Sequence, residues 1–187
     1  SLRQAGPVLI THWGLSGPAI LKLSAWGARV LHAMNYQGRI RLNWLCSGET
    51  ETRKKLADFK TKNPRKSVAA HSPLGLPRRL WERLVLTAGL KTGQPWASTS
   101  KPQETRLLEE LLAGCYGING KSAFKEEFVT CGGVCLDEVN FKTMESRACP
   151  GLYFAGEILD IDGVTGGFNF QSAWTTAWIA GQAIGGG

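Results

Sequence analysis

Ile40, Leu42 and Trp44 alternate with Arg39, Arg41 and Asn43, and this period of two predicts a half-buried strand over residues 39–44. Upstream, the apolar run 7–13 predicts a strand, and Ile20, Leu23, Trp26 or Gly27, and Val30 then recur at helical spacing to about Ala33. Ser16 is placed to cap that helix, and Pro18 is tolerated in its first turn. Residues 49–62 are densely charged, with Leu56 and Phe59 as apolar anchors, and predict an exposed helix that Asn63-Pro64 ends. Pro77 opens the next helix, where Leu80, Trp81, Leu84, Val85 and Ala88 make one stripe and Gly89 is a natural stop. Residues 93–102 read as a loop, and 104–113 as a third helix with Leu107, Leu108, Leu111 and Leu112 on one face.

After Gly114 the character changes. Residues 124–136 predict extended structure with a Gly-Gly kink, and 139–150 a turn with a short polar connection. Leu152, Tyr153, Phe154 and Ala155 then form an apolar run that reads as a short buried strand, followed directly by Gly156-Glu157. A carboxylate at the C-terminal edge of a strand is where an open α/β sheet meets its ligand. Gly166 and Gly167 permit close backbone approach just before a helix start rich in small residues. This order suits a flat cofactor with a sugar and phosphates. The pattern as a whole predicts a mixed α+β and α/β chain in two parts, residues 1–120 and 121–187.

The chain has 187 residues, 43% apolar and 20% charged, the balance of an ordinary soluble globular protein. Its formal charge is +7, and basic residues are dense from Arg53 to Arg83. Such a run reads first as a solvated face; the alternative is a non-catalytic interaction module docking nucleic acid or an acidic partner. The run is not interleaved with exposed-looking aromatics, so nucleic acid is not the expected partner. Five cysteines at irregular spacings, without a signal peptide, predict reduced thiols in a soluble, intracellular, cytoplasmic protein. No apolar run approaches the ~20 residues of a membrane span. The opening segment enters apolar sequence almost at once and reads as a cut inside a larger protein.

Four blocks, THWGLSGPA (residues 11–19), HSPLGLPRRLWERL (71–84), FVTCGGVCLDEVNFKTMES (128–146) and GLYFAGEILDIDGVTGGFNFQSAW (151–174), together resemble the BaiN-type, aminoacetone-oxidase-like FAD-dependent oxidoreductases. The resemblance covers nearly the whole chain but only the C-terminal half of that family. It implies a partial inserted, substrate-side domain of short strands and helices, incomplete at its N-terminus, over 1–120. Residues 121–187 would be the C-terminal strand–loop–helix segment of a Rossmann-like FAD-binding domain. The N-terminal Rossmann half, with its G-x-G-x-x-G turn, is missing and would be the partner. In the whole enzyme NAD(P)H would reduce FAD, and the flavin would pass hydride to a small organic substrate.

On this resemblance, Gly156 and Glu157 would lie at the flavin's ribityl or phosphate region, with a helix-capping or solvated acid as the other role for Glu157. Gly166, Gly167, Phe168 and Asn169 would turn helix N-terminal amides towards the flavin edge, unless they are a plain connector. Asp162 would join the cofactor or brace its loop, as would Asp160. Thr130 and Gly132, in Thr130-Cys131-Gly132-Gly133, match a Thr-Ala-Gly-Gly segment and would pass close to flavin or adjoining sheet. His12 is the one catalytic candidate, an acid near the substrate, although a satisfied strand-end histidine is the favoured reading. Cys131 and Cys135 would stand ~13 Å apart in an extended strand, too far for a disulfide, and no metal site is expected.

Overall fold

The computed structural model describes residues 2–121, 130–164 and 166–186. Contacts divide the chain into two compact units, Gln37–Asn119, and Ser1–Tyr36 with Gly120–Gly187. One boundary between the units falls at Asn119–Gly120. Residues 1–36 belong by contact to the unit that carries 121–187.

The Gln37–Asn119 unit is organised on the alternating strand. Strand β3 (Gln37–Leu42) pairs antiparallel with β4 (Gly114–Asn119), Ile40 opposite Tyr116 and Arg41 opposite Cys115. Gly38, Ile40 and Leu42 are half-buried while Gln37, Arg39 and Arg41 are exposed, as the period of two requires. Trp44 lies beyond the strand's end and donates its Nε1–H to the Tyr116 hydroxyl at 3.2 Å. Helix α3 (Glu49–Lys62) has the predicted bounds, with Leu56 buried and Phe59 half-buried. Helix α4 (Arg78–Thr87) buries Trp81, Leu84 and Val85, and Gly89 just beyond it takes φ 81°. Helix α5 (Lys101–Ala113) packs against α3, α4 and both strands, burying Leu107, Leu108 and Leu111.

Helix α5 starts earlier than the leucine stripe indicates. Ser100 and Gln103 form a capping box, each accepting the other's backbone N–H, and Pro102 sits in the first turn. The loop expected over 93–102 is therefore shorter and contains a single turn at Trp96–Ser98. That turn sends Trp96 into the core, stacked on Trp81 with ring centroids 6.4 Å apart.

One partly buried ion pair ties α3 to α5. Lys60 Nζ lies 2.6 Å from Glu104 Oε1 and also donates to Thr99 Oγ1 at 2.9 Å. Burial pushes the Glu104 carboxyl up, but hydrogen bonds from Lys60 and Thr99, with the charges of Lys60 and Arg53, outweigh it and hold it below the ordinary range. A carboxylate titrating lower when folded stabilises above its unfolded pKa of ~4.3, and that contribution is lost as pH falls through the folded value. Glu104→Gln is thus expected to cost about 1 kcal/mol at neutral pH and nothing once acid has protonated the native carboxyl. Urea unfolding of both proteins across that range checks it, and an equal gap at both ends would refute it.

The other unit has a small core of Val139, Met144, Leu159 and Ala180. Strand β1 (Leu9–Ile10) pairs with β2 (Leu15–Ser16), far less than the strand expected over 7–13, and both residues of β1 are exposed. Ser16 does not cap the helix that follows. It lies in β2, and Gly17 takes the N-cap position at φ 94°, where a Cβ would stand 3.0 Å from Leu9 N and Pro7 O. The single helix expected to Ala33 is two, α1 (Pro18–Trp26) and α2 (Ala28–Ala33), broken at the buried Gly27.

Further on, the connection expected over 139–150 is a hairpin of β5 (Val139–Asn140) and β6 (Glu145–Ser146). The strand expected over 152–155 reduces to a bridge between Tyr153 and Glu145, with Ser146 N–H donating to Leu152 O and Phe154 N–H to Met144 O. Leu152 is exposed. Part of the extended stretch expected over 124–136 lies outside the described residues. Helix α6 (Phe168–Gly185) ends the fold. No helix among the described residues is long and apolar enough to cross a membrane.

Candidate functional site

Helix α6 begins where it does because Gly167 adopts left-handed backbone, φ 95° and ψ −13°. Gly166 before it has φ 133°, and a Cβ built on either glycine meets nothing within 4 Å. These glycines serve the turn and leave the space beside it open. Among the described residues no side chain caps α6, and its first turn holds no acid. The N–H groups of Phe168, Asn169 and Phe170 have no acceptor among the described residues, and the positive end of the helix dipole accompanies them.

Asn169 braces the loop in front of this helix end. Its Oδ1 accepts from Gly163 N–H at 2.7 Å and its Nδ2 donates to Gly163 O at 3.2 Å. A side chain at Gly163 would meet Asn169 Oδ1 at 2.9 Å, so the pairing needs glycine there. The side-chain amide of Asn169 is committed to this clamp, and its backbone N–H is what it offers a ligand.

Asp162 lines a pocket of about 210 Å³, and Asp160 pairs with the lining residue Arg29. The pocket's walls include Lys22, Trp26, Arg29, Cys131, Asp162 and Gly163. Arg29 Nη2 donates to both carboxylate oxygens of Asp160, at 2.6 and 2.8 Å, which together with Asp160's charge raises its already high pKa. A hydrogen bond to Asp162, then burial, then the negative charge of Asp162, push the Cys131 thiol up and favour its protonated form. Asp162 is thus a predicted residue that the fold places in a concave setting, beside Arg29 and Cys131. Lys22, Trp26 and Arg29 went unread in sequence, since helical spacing marks a face without saying what it meets.

Gly156 and Glu157 lie in a separate short turn, Gly156–Ile158, that meets α6 farther along its length. Gly156, at φ 78°, donates its N–H to Thr176 Oγ1 at 3.0 Å, and Thr176 is buried. Thr176 is eight residues into α6, about 12 Å along the axis from Phe168. Glu157 is exposed and its carboxylate has no hydrogen bond or ion pair among the described residues. The fold therefore separates Gly156-Glu157 from the glycine turn by about two helical turns along α6.

Thr130 is exposed, and Gly132 takes φ 116° with open space where its Cβ would be. The close approach belongs to Gly133. A Cβ there would fall 2.5 Å from Ile158 O, 2.6 Å from Leu159 C and 2.7 Å from Asp160 N. Val134 pairs in parallel with Leu159, donating to Ile158 O at 2.8 Å and accepting from Asp160 N–H at 3.1 Å. This pairing holds the Asp160 loop. His12 is exposed in the turn after β1 and is not in the pocket lining. All five cysteines are free, Cys131 and Cys135 included, and no metal-binding cluster occurs among the described residues.

One face of α6 is apolar and open. Phe170, Trp174 and Trp178 recur every four residues and are all about two-thirds exposed, with Phe170 and Trp174 stacked at 6.2 Å. Phe168 and Ile184 extend the exposed apolar surface.

The chain is 34% identical over 178 residues to the ribosomal RNA dihydrouridine synthase of Escherichia coli, covering 95% of this chain and 42% of that protein. The protein of the same description in Haemophilus influenzae is 30% identical over 177 residues, with the same coverage. The 3-dehydro-bile acid delta(4,6)-reductase of Clostridium scindens is 32% identical over 188 residues, 96% of this chain and 44% of that one. The chain thus spans less than half the length of the curated relatives it matches. The description "HI0933-like protein Rossmann domain" matches residues 6–183, and the chain belongs to that family of FAD-binding Rossmann proteins.

Proposed function

We propose that this chain supplies one wall of the FAD site of a reductase in which NAD(P)H is the reductant. The observation that carries the reading is the start of α6, an open glycine turn followed by uncapped amides and no acid, in a chain of an FAD-binding family. Amide donors at a helix N-terminus suit an electron-rich, anionic ligand edge. Bound FAD would supply hydride transfer to an organic acceptor. Phe168, Asn169 and Phe170 would offer backbone N–H groups to it, Asn169 would hold Gly163 and the loop in place, and Glu157 would reach a more distant part of the same extended cofactor. Asp162, Thr130 and Gly132 would border the site, and His12 remains a candidate acid on the substrate side.

The relatives' names, a dihydrouridine synthase and a bile acid reductase, both describe reductions, and the reading carries that class of reaction to this chain. The exposed aromatic face of α6 is the kind of surface a second folded body covers. We assign it to the part of the relatives' length that this chain does not span. Five free thiols accord with a reducing, cytoplasmic setting.

The test is FAD binding by fluorescence quenching, with the chain alone and then mixed with a separately produced Rossmann half. Binding is expected in the mixture and should weaken at least about tenfold with Gly167→Val, since a β-branched residue at this φ costs on the order of 1–3 kcal/mol and fills the open approach. Folded protein that quenches nothing in either arrangement would overturn the reading.

A further inference from the structure

Two indoles are buried in the Gln37–Asn119 unit, and their N–H groups fare differently. Trp81 donates its Nε1–H to Val68 O at 2.7 Å. Trp96 is 1% exposed, and its Nε1 is the one buried side-chain polar atom without a hydrogen-bond partner among the described residues. Native cores rarely leave such a donor unpaired, and an exception points to an acceptor from outside the chain. Trp96 is also a wall of a cavity of about 160 Å³ between α3 and α5. That is room for about five waters at ~30 Å³ each, and less than the ~300 Å³ at which drug-sized pockets begin. Leu56, Leu107 and Leu108, all buried, form its apolar lining, and Arg53, Lys60 and Glu104 its charged lining. Lys60 commits all three of its N–H groups, to Thr99 O at 3.2 Å, Thr99 Oγ1 at 2.9 Å and Glu104 Oε1 at 2.6 Å. Arg53 bonds Glu49 through Nη2 at 2.7 Å, and its remaining donors have no acceptor among the described residues.

We infer that this cavity binds a small organic carboxylate, with its oxygens on Trp96 Nε1–H and Arg53 and its apolar body against the three leucines. The inference concerns residues of one unit and does not depend on the flavin reading. Indole and guanidinium can only donate, so the polar end of the ligand must accept. Between a carbonyl and a carboxylate, the guanidinium favours the ionised group, whose hydrogen bonds are charge-assisted. The charges in the lining agree, since Arg53 and Lys60 outnumber Glu104, whose Oε1 already accepts from Lys60 and Thr99. A ligand made only of polar groups would leave the leucines without contact. The size of the cavity limits the body to a single ring or a short branched chain.

The test is a benzoate titration of the isotope-labelled full chain, followed by nuclear magnetic resonance on the tryptophan indole N–H signals. Trp96→Phe assigns the signal of Trp96. Benzoate is expected to shift that signal downfield and saturably, while the signal of the exposed Trp13 stays in place. Arg53→Gln should weaken binding roughly tenfold, through loss of the charge-assisted bond. Ala57→Leu, which enlarges a side chain of the cavity lining and leaves both donors intact, should abolish binding. Arg53 and Ala57 are exposed positions of α3, so both variants are expected to fold, and circular dichroism checks it. Benzylamine, of the same size and opposite charge, should leave the Trp96 signal unmoved. A Trp96 signal that benzoate does not move would overturn the inference and leave the N–H to the ring of Phe59, with centroids 5.7 Å apart. Equal binding of benzylamine, or unweakened binding of benzoate by both variants, would overturn it as well. So would magnetisation transfer from Nε1–H to a long-lived water that benzoate fails to displace, which would assign the acceptor to that water.

Discussion

Truncating Trp81 to alanine is expected to destabilise the Gln37–Asn119 unit by about 3–5 kcal/mol, a large part of the stability of any small domain. Trp81 is fully buried, stacks on Trp96, and donates its Nε1–H to Val68 O at 2.7 Å. Removing the indole leaves a cavity beneath Trp96, and Val68 O loses the donor that reaches it inside the core. Trp96 has no acceptor for its own Nε1–H among the described residues, so its position depends on stacking with Trp81 and edge contact with Phe59. Trp81→Phe separates the two contributions. It keeps much of the ring packing and should cost about 1–3 kcal/mol for the orphaned carbonyl and the lost volume. Urea unfolding followed by circular dichroism reads both, and a loss under about 1 kcal/mol for alanine would refute this account of the core.

The same residue explains why this unit was legible in sequence and the other was not. Around Trp81 each helix carries its own evidence of burial: a stripe at 80, 81, 84, 85 and 88, a leucine face at 107, 108 and 111, and stop signals at Pro64 and Gly89. Most contacts there follow local periodicity, and α3 has the predicted bounds. In the other unit the shaping contacts are distant and made by single residues. Arg29 meets Asp160 across 131 positions, and Thr176 accepts from Gly156 across 20. No period encodes such pairs. Apolar runs at 7–13 and 152–155 read as strands because strands are apolar, but few backbone partners meet them among the described residues. For the candidate site, the glycine turn before α6 was readable from composition. The commitment of Asn169 to Gly163, and of Gly133 rather than Gly132 to close packing, depended on which backbone lay opposite.

That last distinction yields a sharp contrast between neighbouring glycines. Gly133→Val is expected to cost about 3 kcal/mol or more, because its Cβ would collide with three backbone atoms of residues 158–160 that cannot swing aside as a side chain would. Relieving the collision means breaking the two Val134 hydrogen bonds to Ile158 and Asp160, each worth about 1 kcal/mol. Gly132→Ala should cost less, on the order of 1 kcal/mol, since it meets backbone strain at φ 116° but no atom. The consequence also reaches the pocket. Moving residues 158–160 shifts Asp160 away from Arg29 and slackens the loop that carries Asp162 and Gly163 towards the start of α6. Amide hydrogen exchange should therefore rise at Asp160 and Gly163 in Gly133→Val while staying near native values in Gly132→Ala. Equal losses from the two substitutions would mean that residues 130–134 are not packed on 158–160, and the wall proposed for the cofactor would lose its support.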